Sequence, residues 1–179
     1  MENTPAAVSK KEAAREALLA RTGELAIHYY QELGFHCPEA TIRACSDALG
    51  LHLSEEVIRA ASGFMGGGGG MGERCGVMEA GCMILSVIFA RVAPFQEPWP
   101  NNYLIRTLHS RFMEKITCLH CRDIQAMEER EGVDEDCLCH RTVVEGAKII
   151  AGVVFDADEL LKNVTEADIE NDPKPFEDE

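Results

Sequence analysis

Sulfur is where this chain can do chemistry. Its eight cysteines are Cys37, Cys45, Cys75, Cys82, Cys118, Cys121, Cys137 and Cys139. In a small secreted chain such a count signals disulfides; in a cytosolic one it points to metal or redox chemistry. Two short stretches, Cys118-Leu119-His120-Cys121 and Cys137-Leu138-Cys139-His140, gather four sulfurs and two imidazoles. Fifteen residues separate the two pairs, and zinc ribbons space theirs by about 12–20. That makes Cys118, Cys121, Cys137 and Cys139, with His120 and His140, one candidate zinc set. A CxxC pair also reads as a redox dithiol. Haem c is not expected, because attachment needs histidine directly after the second cysteine and Arg122 stands there. Cys45 and Cys82 lie inside apolar helical patterns and read as small buried hydrophobes.

Four cysteines share a second property. Cys37, Cys75, Cys121 and Cys139 all fall where a helix is expected to start. Free N–H groups and the helix dipole there favour thiolate over thiol, the form that binds metal and attacks disulfides. Cys75 is accordingly expected to react faster than Cys82, seven residues deeper in the same helix. The arrangement makes sense if the four helix starts meet in one site.

The stretch before Cys75 runs Gly63-Phe64-Met65-Gly66-Gly67-Gly68-Gly69-Gly70-Met71-Gly72. Three readings stay open. A phosphate cradle would need a strand before the glycines, or a terminal Gly-Lys-Ser/Thr, and the chain has neither. The glycines can serve the backbone, allowing positive φ and close approach of helices. Or the loop passes close to a bound group or a reactive sulfur, which makes Gly66, Gly67, Gly68, Gly69 and Gly70 candidate cofactor-binding residues.

Helices must position these residues, since almost nothing in the chain alternates as a strand does. Helices are expected over residues 10–33, 37–49, 54–61, 75–92, 101–117, 121–131 and 139–163. The segment 75–92 is apolar nearly all round and hence buried. Pro94, Pro98 and Pro100 break the pattern after it, and the last helix is weakened around Gly146 and Gly152. The expectation is an all-α, single-domain helical bundle with a central Gly-rich loop leading into a buried helix. Residues 1–163 form that domain, and 164–179 an acidic, flexible tail. At 179 residues with 46% hydrophobic content the chain can build a core. So much apolar helix in a small chain also suggests self-association.

The formal charge is −14, which disfavours nucleic acid and anionic membrane surfaces. Residues 156–179 carry most of the excess, with ten acids against Lys162 and Lys174. The longest uncharged apolar run, Ala80–Ala90, has eleven residues, and a membrane span needs about 20. Residues 1–12 lack the apolar stretch of a secretion signal. The expectation is a soluble cytoplasmic protein.

These residues carry a resemblance. Tyr30, Gly34, Cys37 and Ala40 resemble the aromatic, Gly, Cys and Ala entry of the C_GCAxxG_C_C redox-active protein family. Gly63 to Gly81, with Cys75-Gly76, is similar to its glycine-rich second element. Cys121-Arg122-Asp123-Ile124 resembles its C-R-[DE]-L, and Cys139 with Val143 and Val144 its last element. The likeness spans about residues 26–154. Val77 and Ala80 stand where the pattern has Ala and Gly, and Cys118 and Cys137 lie outside it. The resemblance implies a helical fold and redox- or metal-linked cysteines. It extends to split-Soret cytochromes, where a similar domain is thought to hold an iron–sulfur cluster beside haems. No haem motif is present to carry the haem over.

The expected function is therefore cysteine-based redox or electron transfer, with an unidentified redox partner protein. Cys37, Cys75, Cys121 and Cys139 would ligate an iron–sulfur cluster or form a dithiol/disulfide couple, with Cys75 and Cys37 as the reactive members. The alternatives are a structural zinc protein and a helical interaction module without catalysis.

Overall fold

The computed structural model describes residues 5–93, 96, 98–134 and 138–170. Among them are eight α-helices: α1 (Pro5–Ile27), α2 (Cys37–Leu49), α3 (Glu55–Ala61), α4 (Gly76–Phe89), α5 (Trp99–Ile116), α6 (Cys121–Arg130), α7 (His140–Lys162) and α8 (Glu166–Glu170). The described residues contain no strand; one isolated bridge pairs Arg74 with His120. The fold is the expected all-α single domain. Among the described residues, no helix is long and apolar enough to cross a membrane.

Helix α7 is central and packs on α1, α2, α4 and α5. Its inner face is Val143, Ala147, Ile150, Val153 and Ala157, the i, i+3, i+4 spacing of a stripe turned to the core. From α5 come Leu104, Leu108, Phe112 and Ile116, one per turn, and from α4 Val77, Met78, Ile84 and Leu85. Cys45 lies in this core as a small apolar group, its S–H donating to the Ala147 carbonyl at 3.7 Å.

Two sequence expectations need correcting. Pro98 and Pro100 do not hold off the fifth helix. Pro98 is the residue before α5 and Pro100 lies in its first turn, where a missing N–H costs nothing. Nor do Gly146 and Gly152 weaken α7, which is continuous through both. A Cβ on Gly146 would strike Val77 of α4 and come within 3.2 Å of Phe112. One on Gly81 of α4 would meet Leu108 at 2.6 Å and Ile150 of α7 at 2.8 Å. The two glycines let α4 and α7 cross closely. Gly146→Ala should therefore destabilise by about 1–3 kcal/mol through overpacking, despite alanine's better helix propensity. Urea unfolding measures this, and a neutral or stabilising result would mean the crossing is looser than drawn.

The first helix gives way at His28–Glu32 to a π-turn that nothing in the sequence pattern announced. Gly34, at φ 73°, reverses the chain into α2. Helix α8 lies within the segment read as tail. It is exposed, and Thr165 caps it through Asp168.

Candidate functional site

The four cysteines singled out by position all sit at helix starts. Cys37 and Cys121 are the first residues of α2 and α6, and Cys75 and Cys139 immediately precede α4 and α7. Pro38 sets the first turn of α2, and Thr41 Oγ1 donates to the Cys37 carbonyl at 2.7 Å.

Backbone pairing joins Cys75 to Cys121. The Cys75 amide donates to the Leu119 carbonyl at 2.8 Å, and the Cys121 amide to the Glu73 carbonyl at 2.6 Å. Arg122 adds two bonds to the Gly72 carbonyl, from its amide and its Nε, each 3.1 Å. The glycine loop makes this approach possible. Gly66 through Gly70 and Gly72 all have φ between 58° and 85°, a region costing other L-residues about 1–2 kcal/mol each. Gly67 lies against Cys121, where an added Cβ would stand 2.8 Å from the cysteine Cβ.

The loop is not built as a phosphate cradle. The amides of Gly68, Gly69 and Gly70 bond to the carbonyls of Phe64, Gly63 and Met65. The Gly66 amide, by contrast, hydrogen-bonds Cys37 and favours its thiolate.

Cys139 arrives from the far side. It holds φ 66°, a left-handed conformation rare for cysteine. Its amide donates to Glu128 Oε2 at 2.5 Å, and Thr142 Oγ1 donates to Glu128 Oε1 at 3.0 Å. Glu128 is only 1% exposed. Tyr30, on the π-turn, donates its hydroxyl to the Leu138 carbonyl at 3.0 Å, and His140 stacks edge-on against its ring.

The electrostatics tie the group together. Burial pushes the Cys37 thiol up to about 12, with Cys75 and Cys121 adding to the rise. Burial takes Cys75 up to about 11; the Val77 and Met78 amides pull it down, and Cys121 and Glu128 push it up. Cys139 is raised by burial first, then by Cys37, Glu128, Cys121 and Cys75. Cys121 is raised by burial, and Tyr30 by burial and then by Cys139 and Cys37. The structure thus brings the four cysteines within electrostatic reach of one another.

The expectation of low pKa values at these helix starts is overturned. The amides and dipoles act in the expected direction, but desolvation of the sulfur outweighs them. Cys82 also rises to about 11, mainly through burial, so no reactivity order between Cys75 and Cys82 follows.

The described members of the alternative zinc set make contacts outside it. Cys118 Sγ lies 4.0 Å from Thr117 Oγ1. His120 Nδ1 is 3.9 Å from Glu73 Oε2, and His140 meets the Gln31 amide. Cys137 lies outside the described residues. All described cysteines are free thiols. Among the described residues, no three His, Cys, Asp or Glu side chains are arranged to hold a metal ion.

Sequence reasoning missed Glu128. The available signal was the buried stripe Cys121, Ile124, Glu128 on α6, which places a carboxylate where the period demands an apolar residue.

The family model described as "Putative redox-active protein (C_GCAxxG_C_C)" matches residues 35–153. No curated protein and no solved structure matches the chain.

Proposed function

The chain belongs to the C_GCAxxG_C_C family of redox-active proteins, and from that premise we propose that it is an electron carrier holding an iron–sulfur cluster on Cys37, Cys75, Cys121 and Cys139. The observation that carries this reading is the mutual electrostatic reach of four sulfurs at helix starts, Cys75 and Cys121 buried and Cys37 and Cys139 half-buried, each raised in pKa. Such a group opposes four bare thiolates, and since no three described side chains are arranged around one ion, it suits a cationic cluster that spans the sulfurs rather than a single ion. An all-sulfur donor set is soft, the type that selects iron–sulfur clusters, zinc or Cu(I).

When bound, the cluster supplies a one-electron couple at the sulfurs. The chain's own residues do the rest. The Gly66 amide on Cys37 and the Val77 and Met78 amides on Cys75 stabilise negative charge on sulfur, a lever on potential. Cys75 and Cys121, each 5% exposed, keep water from that side. Gly67 leaves room for Cys121 beside the loop. The zinc reading is weaker, because His120 and His140 are engaged with Glu73 and Gln31.

Purification without air is the test. A visible sulfur-to-iron absorption with iron and sulfide bound is expected. Serine at position 37, 75, 121 or 139 should abolish it, and Cys82→Ser or Cys118→Ser should leave it intact. A colourless protein holding zinc that Cys118→Ser releases would establish the structural zinc protein instead. A colourless, metal-free protein that air converts to a disulfide would replace the cluster with a dithiol couple, two thiols losing two protons and two electrons.

A further inference from the structure

Helix α7 begins at a point with no cap of its own. Cys139 makes no side-chain bond to the helix it precedes, and its left-handed φ of 66° is unfavourable for a residue with a Cβ. Something outside α7 must hold this turn. Tyr30 holds the Leu138 carbonyl, and the two bonds at Cys139 and Thr142 come from one carboxylate on a different helix. Glu128 Oε2 accepts the Cys139 amide at 2.5 Å, and Glu128 Oε1 accepts the Thr142 hydroxyl at 3.0 Å.

Glu128 stands seven residues beyond Cys121, two turns along α6 on the same buried face. The helix that starts at one site cysteine therefore reaches across to fix the backbone of another. A carboxylate that is 1% exposed is costly unless its oxygens are bonded. Here both are bonded, and both bonds fall at the α7 start. A surface acid at a helix end would give the same electrostatic help without burial, so the buried placement calls for a role at the site.

We propose that Glu128 is the positioning residue of the four-cysteine site, capping α7 from α6 and so holding Cys139 toward Cys37, Cys75 and Cys121. Its effect on metal binding rests on the reading of these cysteines as ligands; its effect on Cys139 geometry does not.

The test uses Glu128→Ala and Glu128→Gln in the full chain, reduced and metal-free. A glutamine amide can accept the Cys139 N–H and donate to Thr142 Oγ1, so it should rescue where alanine fails. In the first arm iodoacetamide labels the thiols under native conditions. Glu128→Ala should expose Cys139 at least about tenfold faster, with the core thiol Cys45 unchanged as internal control, and Glu128→Gln should restore the slow rate. In the second arm iron and sulfide are added without air. Wild type and Glu128→Gln should take up the cluster with its visible absorption, and Glu128→Ala should take it up as poorly as Cys139→Ala. The affinity should fall about 10–100-fold, the usual effect of removing a partner that orients a ligand.

Wild-type labelling of Cys139 in Glu128→Ala overturns the proposal, as does equal acceleration at Cys45. If wild type takes up no iron and sulfide, the ligand reading falls, and the labelling arm still decides whether Glu128 positions Cys139.

Discussion

Replacing Gly67 with alanine is expected to cost about 2–5 kcal/mol and to remove the site, whereas Gly69→Ala should cost about 1–2 kcal/mol and leave it. Both residues hold left-handed φ values, 74° and 62°, so both substitutions carry the backbone penalty of about 1–2 kcal/mol. Only Gly67 adds a collision. Its Cβ would stand 2.5 Å from the Glu73 nitrogen, 2.7 Å from the Gly72 carbonyl carbon and 2.8 Å from the Cys121 Cβ, while nothing lies within 4 Å of a Cβ on Gly69. The neighbours cannot easily give way. The Glu73 amide bonds Gly67 and its carbonyl bonds the Cys121 amide, so moving Glu73 breaks the link between Cys121 and the Cys75 segment. Overpacking of this kind costs about 1–3 kcal/mol more, a large part of a small domain's stability. Urea unfolding gives the two energies, and bound iron reports the site. Equal costs for the two variants would mean that the loop is only a linker.

The contrast between these glycines shows where sequence reading stops. The density of glycine predicted positive φ, because few other residues tolerate it. It could not tell Gly67, pressed against Cys121, from Gly69, which faces open space, since the difference lies in a contact between residues 54 positions apart. The helices were legible for the opposite reason. The stripe Leu104, Leu108, Phe112, Ile116 is local, and its spacing states both the helix and its buried face. The placement of four cysteines at helix starts was likewise local, carried by Pro38 and by the glycines before Cys75. Burial is a tertiary quantity, and it decided the sign of the thiol pKa shifts against the dipole. Glu128 was hidden for a related reason: a lone acid in a helical stretch reads as a solvated one until a partner helix buries it. The π-turn at His28–Glu32, which sets Tyr30 beside Leu138 and His140, has no compositional mark at all.

Alkali should unfold the reduced, metal-free protein well before it harms the loaded one. Burial raises Cys37 to about 12, Cys45 to about 12 and Cys75 to about 11, from an ordinary value of 9.0. A thiol is neutral when protonated, so a raised value means that the folded chain keeps a proton which the unfolded chain gives up. The stabilising contribution is complete below pH 9 and is lost as pH rises through the window from about 9 to about 12. At pH 10 each such thiol weakens the fold by about 1.4 kcal/mol, the free energy of one pH unit beyond the unfolded value. These three together remove about 4 kcal/mol, and Cys82 and Cys139, raised by burial as well, add to a loss that a domain of this size can hardly spare. Cys45 is not among the proposed ligands, so Cys45→Ala should reduce the loss at pH 10 by about 1.4 kcal/mol, whatever its cost at neutral pH. Cys37 and Cys75 behave differently once a metal is present. Coordination requires thiolate and releases the proton on binding, so their share of the alkaline loss should vanish in the loaded protein while that of Cys45 persists. Urea unfolding at pH 7 and pH 10, with and without bound metal, measures both parts. Flat stability between pH 8 and pH 10 in the metal-free protein would refute the buried-thiol description, and identical alkaline losses with and without metal would remove Cys37 and Cys75 from the ligand set.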